Sequence, residues 1–325
     1  MNRAGRVVAV VVTYNRLDQL QKTLARLLEA APADLAQVVV VDNASTDGTQ
    51  AWLATQSDAR LDVLRSARNL GGAGGFETGM RHAAAQHAPD WILVMDDDAR
   101  PQPSALAQFQ ATAPADAWAV AGAVFHPDGR ICDINRPSIN PFWHARIFWR
   151  TALGGGRDAF HLSAVAFDAD APTRDVDAAS FVGLFVARAG WETAGFPDSS
   201  LFIYGDDVLY TLGLRQAGGR IVFDPAVRFE HDFTTLTGGV QRFAPLWKVY
   251  YHHRNLMMVY RRAAGVFFWP ALLVILPKWL SKARHYGAEA PVFRTLLRRA
   301  IWHGLRQRTD TPHDTVLGWC ATDKT

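Results

Sequence analysis

Cysteine is scarce: Cys132 and Cys320 stand far apart in 325 residues and form no C-x-x-C pair. That excludes a disulfide-built scaffold and a cysteine zinc site, and it fits a reducing compartment. A long unbroken apolar run is also missing. The nearest approach, VFFWPALLVILPKWL over residues 266–280, is shorter than the about 20 residues of a spanning helix and is broken by prolines, so it reads as a segment lying on a membrane surface. No basic, apolar and small-residue succession precedes the first strand-like run, which is the expectation for a cytoplasmic protein. Acidic residues are scarce in one region only. Residues 241–325 carry 14 Lys or Arg against 4 Asp or Glu, a net +10, whereas residues 1–240 are at −7. We therefore expect a division near residue 240, with different partners for the two parts.

What is present is a globular composition, 49% hydrophobic, with a repeating pattern. The run RVVAVVVTY (6–14) leads into an amphipathic stretch with apolar residues at 17, 20, 24, 27 and 28, then to the buried-strand signature QVVVVD (37–42). LDVLRS (61–66), a helix near 75–87 and WILVMD (91–96) repeat the unit. Such βαβ units predict a mostly parallel sheet with helices on both faces, and ligands beyond the carboxyl ends of its strands. All the polar clusters fall there: Thr13 to Arg16 after strand one, Asp42 and Asn43 after strand two, Asn69 after strand three, and Asp96 to Asp98 after strand four.

Three carboxylates at the mouth of a buried strand repel one another unless a cation is present, and an acidic triplet can also be a solvated helix cap. A hard ion, Mn²⁺ or Mg²⁺, held by carboxylates while bridging phosphates removes the cost. Strand alternation puts Asp96 and Asp98 on one side and Asp97 on the other. The glycine run NLGGAGGF (69–76) does not fit a dinucleotide fingerprint: with Gly72 and Gly74 as its first two glycines, Glu77 stands where the third belongs. It is expected instead as a helix-entry loop whose backbone N–H groups approach a diphosphate.

The segments VVVTYNR, VVVDNASTDGT, NLGGAGGF, MDDDARP, FIYGDDVLYTLGLRQAG and YYHHRN, in this order over residues 8–255, resemble the family 2 glycosyltransferases of GT-A fold, and within them the galactofuranosyltransferase-like and rhamnosyltransferase-like bacterial branch. The resemblance implies an inverting, metal-dependent transfer of a hexose from UDP-galactofuranose, or from dTDP-rhamnose, to a glycan or lipid-linked glycan. It assigns Thr13, Asn15, Arg16, Asp42, Asn43, Asn69, Gly74 and Asp97 to the nucleotide sugar, Asp96, Asp98 and His231 to the metal, and Asp207 to the general base. Asp206 is left as a helix-start acid, and Asp47 as a cap in the D-N-A-S-T-D-G turn. Many relatives carry an acid where this chain has Leu209, so acceptor recognition is expected to differ.

The resulting domain expectation is a catalytic GT-A (Rossmann-like) unit over 1–240 and a basic, aromatic-rich helical region over 241–325, the latter either contacting an anionic membrane at the inner face of the cell or packing on the catalytic sheet. Residues 136–175 are expected to shape the acceptor site. No nucleic-acid-binding motif accompanies the basic region. Two further classes stay open at this level: a nucleotidyltransferase, which should show a basic glycine-rich loop near strand one, and a non-catalytic glycan-binding protein, which would need no metal.

Overall fold

The computed structural model describes residues 4–232 and 242–321. Its first part is the repeated βαβ pattern: β1 (Val7–Thr13), α1 (Leu17–Leu28), β2 (Gln37–Asp42), α2 (Thr49–Leu53), β3 (Leu61–Arg65), α3 (Gly71–His87) and β4 (Trp91–Asp96). These strands pair in parallel, with Thr13 beside Asp42, Asp42 beside Arg65 and Val12 beside Asp96, so their carboxyl ends form one rim. Both faces of the sheet are covered, and strand alternation decides by which helix. Val7, Ala9 and Val11 pack with Leu20, Leu24 and Leu27 of α1, while Val8, Val10 and Val12 pack with Phe76 and Met80 of α3.

The sheet continues through β5 (Ala99–Pro101), α4 (Ala105–Thr112), β6 (Ala117–Phe125), α5 (Ala145–Arg150), β7 (Arg174–Val176), β8 (Leu184–Ala187), α6 (Arg188–Ala194), α7 (Asp206–Gln216) and β9 (Arg220–His231). The order is β3-β2-β1-β4-β8-β6-β9-β5, with β7 added on β9. The parallel half matches expectation, and the later strands bring antiparallel pairings: β8 on β4 and β6, and both β5 and β7 on β9. The β5–β9 pair places Ala99 opposite His231, which brings a histidine next to the acidic triplet.

One expectation needs correction. The glycine run is the first turn of α3 rather than a loop before it. The reason is packing: a Cβ on Gly75 would stand 2.5 Å from Val12 Cγ1, and one on Gly79 2.4 Å from Val10 Cγ1 and 2.9 Å from Val41 Cγ2. Gly75 and Gly79, one turn apart, let the helix backbone lie directly on the valines of β1 and β2. Gly79→Ala is accordingly expected to cost about 1–3 kcal/mol through overpacking, read as a lower urea midpoint at unchanged slope. At the far end of α3, away from the rim, His82 and His87 each place Nε2 2.7 Å from Asp62 Oδ2 and so tie the helix to strand β3.

The basic region forms α8 (Trp247–Ala264), α9 (Phe268–Ser281), α10 (Ala290–Leu305) and α11 (His313–Ala321). Tyr250, Tyr251, Met257, Phe293, Leu296 and Leu297 build a core of their own between α8 and α10. His253, Arg254 and Asn255 are fully buried, so part of this region's polarity faces inward.

Candidate active site

At the rim, Asp96, Asp98 and His231 present ligand atoms that all lie within 4.8 Å of one another. Asp98 Oδ1 is 3.1 Å from His231 Nε2. The other ring nitrogen, Nδ1, is 2.8 Å from Asn135 Oδ1, and Asn135 is itself fixed by donating from Nδ2 to Ser180 Oγ at 2.9 Å. With Nδ1–H given to Asn135, Nε2 faces the carboxylates, hydrogen-bonded to Asp98 without a cation and free to offer its lone pair to one, the supporting arrangement expected around a metal-binding imidazole. Two carboxylates and one imidazole, half enclosed, suit Mn²⁺ or Mg²⁺ with positions left for phosphate oxygens. The electrostatics agree with that fit. Burial and the neighbouring Asp98 push Asp96 up to about 7, the cost of close carboxylates without a cation. Burial opposes ionisation of Asp98 too, but the hydrogen bond to His231 and the charges of His231 and Arg16 hold it below the ordinary range.

Asp97 points elsewhere, in the turn that follows β4. It accepts the Thr13 hydroxyl at 2.7 Å and Arg16 Nη1 at 3.3 Å, and burial lifts it to about 6. Arg16 also donates to Asp98 Oδ2 at 2.5 Å, so the TYNR segment and the triplet are one charged network. Thr23 of α1 holds the triplet's backbone, donating to Asp97 O at 2.6 Å and Ala99 O at 3.1 Å. Glu230 and Asp232 turn away from His231 toward Arg100.

The rest of the rim is organised by amides. Asn15 accepts Thr46 N–H at 2.7 Å, and Asp47 accepts the first N–H of α1, from Leu17, at 3.0 Å. Within its own turn Asp47 also accepts Thr49 N–H at 3.2 Å, at the start of α2, which is the local capping role that was expected. Asn43 and Asn69 spend their side chains on the entry to α3: Asn43 donates to Asn69 Oδ1 and Gly71 O and accepts from Leu70 N–H, while Asn69 accepts Gly71 N–H. Gly74 lies buried inside α3, a Cβ there meeting Leu70 at 2.6 Å. Asp42 differs from these. It is buried, Oδ1 accepts Ser45 N–H at 2.9 Å, and Oδ2 has no hydrogen-bond partner among the described residues. An orphaned buried acceptor on a ligand rim calls for a donor.

Asp207 stands in the first turn of α7, its Oδ1 accepting Val208 N–H at 2.7 Å; burial raises it to about 6. Asp206, raised to about 7 by burial and by Asp207, lines a cleft between α7 and α8 with Arg261 and Arg262. The loop before them is strained: Phe202, Tyr204 and Gly205 have φ of 68°, 70° and 75°. Two buried residues of the YYHHRN motif hold it. Asn255 Nδ2 lies 3.0, 2.9 and 2.8 Å from the carbonyls of Leu201, Ile203 and Tyr204, and Arg254 donates to Leu201 O at 2.8 Å. Ala73 N–H of α3 donates to Phe202 O, and a Cβ on Gly71 would collide with that carbonyl. Tyr204, lifted to about 12 by burial, is close enough to Arg16 to feel its charge, so the loop before Asp207 adjoins the acidic network. Sequence reasoning placed Arg254 and Asn255 in the tail without this role; an Arg-Asn pair inside an aromatic helical stretch was the available signal. Asn255→Asp, which turns a donor into a carboxylate facing three carbonyls, is expected to destabilise by about 3–5 kcal/mol, as an uncompensated buried charge does. Chemical denaturation measures it.

Comparison with known proteins agrees with this geometry. Residues 8–165 match the family described as Glycosyl transferase family 2. The chain is 36% identical to galactofuranosyltransferase GlfT1 of Mycobacterium tuberculosis over 204 residues, 62% of each chain. It is 32% identical to an undecaprenyl-phosphate mannosyltransferase of Micrococcus luteus over 154 residues, 46% of this chain and 60% of the other. The matched stretch therefore spans about three fifths of these relatives' own length. Among solved structures, the mannosyltransferase PcManGT from Pyrobaculum calidifontis, in complex with GDP-Man and Mn²⁺, superposes with a TM-score of 0.53 at 20% identity, over 99% of this chain and 88% of that one. The sheet is that of GT-A glycosyltransferases, and residues 8–165 carry the match to glycosyl transferase family 2.

Proposed function

We propose that the protein is an inverting glycosyltransferase that moves galactofuranose from UDP-galactofuranose to a glycan or lipid-linked glycan acceptor at the cytoplasmic face of a membrane. The observation that carries the reading is the convergence of Asp96, Asp98 and His231 on the rim that also holds the orphaned Asp42 Oδ2. In this reading Asp42 accepts a base N–H or ribose hydroxyl of the nucleoside, and Thr13 and Arg16 keep Asp97 and Asp98 ionised and in place. Asp96, Asp98 and His231 hold Mn²⁺ or Mg²⁺, which when bound supplies Lewis-acid stabilisation of the departing nucleoside diphosphate. Asn43 and Asn69 act at one remove, by fixing the start of α3 beside the diphosphate.

Transfer is a single in-line displacement. Asp207 takes the proton of the acceptor hydroxyl as its oxygen attacks the anomeric carbon, and a value near 6 leaves it ionised at neutral pH yet basic enough for the task. The relatives' names support the sugar: GlfT1 is a galactofuranosyltransferase. A donor screen tests it, comparing UDP-galactofuranose, UDP-galactopyranose, UDP-glucose and dTDP-rhamnose, each with Mn²⁺, by calorimetry and nucleotide release. Preference for dTDP-rhamnose would replace the donor and keep the reaction. Binding of every donor without metal dependence or turnover would point to a glycan-binding protein instead.

A further inference from the structure

Helix α9 has an apolar stripe on each side. Phe268, Leu272 and Trp279 are buried against the rest of the helical region. On the other side Trp269, Leu273 and Leu280, with Val266 in the turn just before the helix, remain in solvent at helical spacing, Val266 85% and Leu273 79% exposed. A helix that is apolar all round belongs in a core or against lipid, and the most apolar window of Trp247–His285 has a mean hydropathy of 1.7 with only 22% of it buried. A second segment, distant in sequence, joins the stripe. Phe267 lies 5.9 Å from Phe148 of α5, whose ring is 5.5 Å from that of Trp149. Trp149 is 62% exposed and Leu153, just beyond α5, 83%. Exposed Arg146, Arg150, Lys278 and Arg284 belong to the same two segments or directly follow them.

We propose that α9 and the α5 turn together form a bilayer-docking face that inserts its apolar side chains at the interface of an anionic membrane. It rests on the preceding reading only for its purpose, which is to hold the rim near a lipid-linked acceptor. Residues 145–153, expected to shape the acceptor site, serve in this proposal as the second half of the docking face. The helical run Trp247–His285 is long and apolar enough by length and composition to cross a membrane, but the segment lies flat rather than spans, because its stripe of Phe268, Leu272 and Trp279 is packed into the core of the helical region and cannot face lipid. Trp149 and Trp269 suit the headgroup boundary, and the basic side chains and the net +10 of residues 241–325 favour anionic lipid over neutral lipid or a second copy of this positively charged surface.

The test is co-sedimentation of the full chain with phosphatidylcholine vesicles, with and without phosphatidylglycerol, at low and high salt. Binding is expected with the anionic vesicles and reduced by salt. Trp269→Ser with Leu273→Ser, and separately Trp149→Ser with Leu153→Ser, should each lower it by roughly tenfold or more, the equivalent of one or two apolar side chains left unburied. These positions are exposed, so thermal melts should be unchanged, and transfer to a water-soluble acceptor without vesicles should be kept. Absence of vesicle binding, or binding that neither pair of changes weakens, overturns the proposal. So does a lipid-free dimer, seen by sedimentation velocity, that Leu273→Ser dissolves. Loss of the glycosyltransferase reading would show in the donor screen instead and leave vesicle binding untouched.

Discussion

Asp207→Asn is expected to lower sugar transfer by roughly 10²–10⁴-fold while leaving Mn²⁺-dependent UDP affinity unchanged. The substitution keeps the shape of the side chain and its acceptor for Val208 N–H but removes the proton acceptor. In the parent enzyme the rate should rise with pH through about 6 as Asp207 ionises, and this limb should vanish from the residual activity of the variant. Asp206→Asn is the internal control, since Asp206 faces the cleft between α7 and α8. If Asp206→Asn abolishes transfer while Asp207→Asn spares it, the base has been assigned to the wrong carboxylate.

Asp98→Ala should have the second largest effect. It removes a proposed metal ligand and strands two partners, since Arg16 and His231 both reach Asp98. Loss of a mere supporting residue around a metal typically costs 10–100-fold in affinity, so a ligand should cost roughly 100-fold or more, and titration calorimetry with UDP should lose its dependence on Mn²⁺. Asp97→Asn should do less, because an amide oxygen can still accept the Thr13 hydroxyl. The same site sets a pH dependence. Asp96, raised to about 7, holds a proton in the metal-free protein below neutrality. A cation needs the carboxylate, so Mn²⁺-dependent UDP affinity should rise between about pH 6 and 8, and binding should release protons. Calorimetry in buffers of different ionisation enthalpy counts them. Affinity that is flat over this range would remove Asp96 from the ligand set.

The parallel half of the sheet was legible because strands buried on both faces read as continuous apolar runs, and each run ends on a polar cluster that marks the rim. The start of α3 was not. Glycine weakens a helix by about 0.5–1 kcal/mol per residue relative to alanine, so GGAGG reads locally as a loop, and only contact with Val10, Val12 and Val41 reveals why the helix begins there. His231 came from family resemblance; the β5–β9 pairing that delivers it joins residues more than a hundred positions apart and leaves no local trace. Arg254 and Asn255 illustrate the limit most clearly. Composition alone counts them toward a basic surface, whereas their partners are carbonyls of a loop some fifty residues upstream.

That clamp bears on modularity. The residues proposed for the nucleotide and the metal lie before residue 232, but the loop that presents Asp207 is held from α8. On the proposed assignment, a fragment ending between them would keep every donor-site residue and yet lack the part that holds Asp207 in register. Exchanging C-terminal regions between relatives would then transplant more than acceptor or surface preference: unless the Arg-Asn pair and the left-handed loop travel together, a chimera would bind donor and stall before transfer.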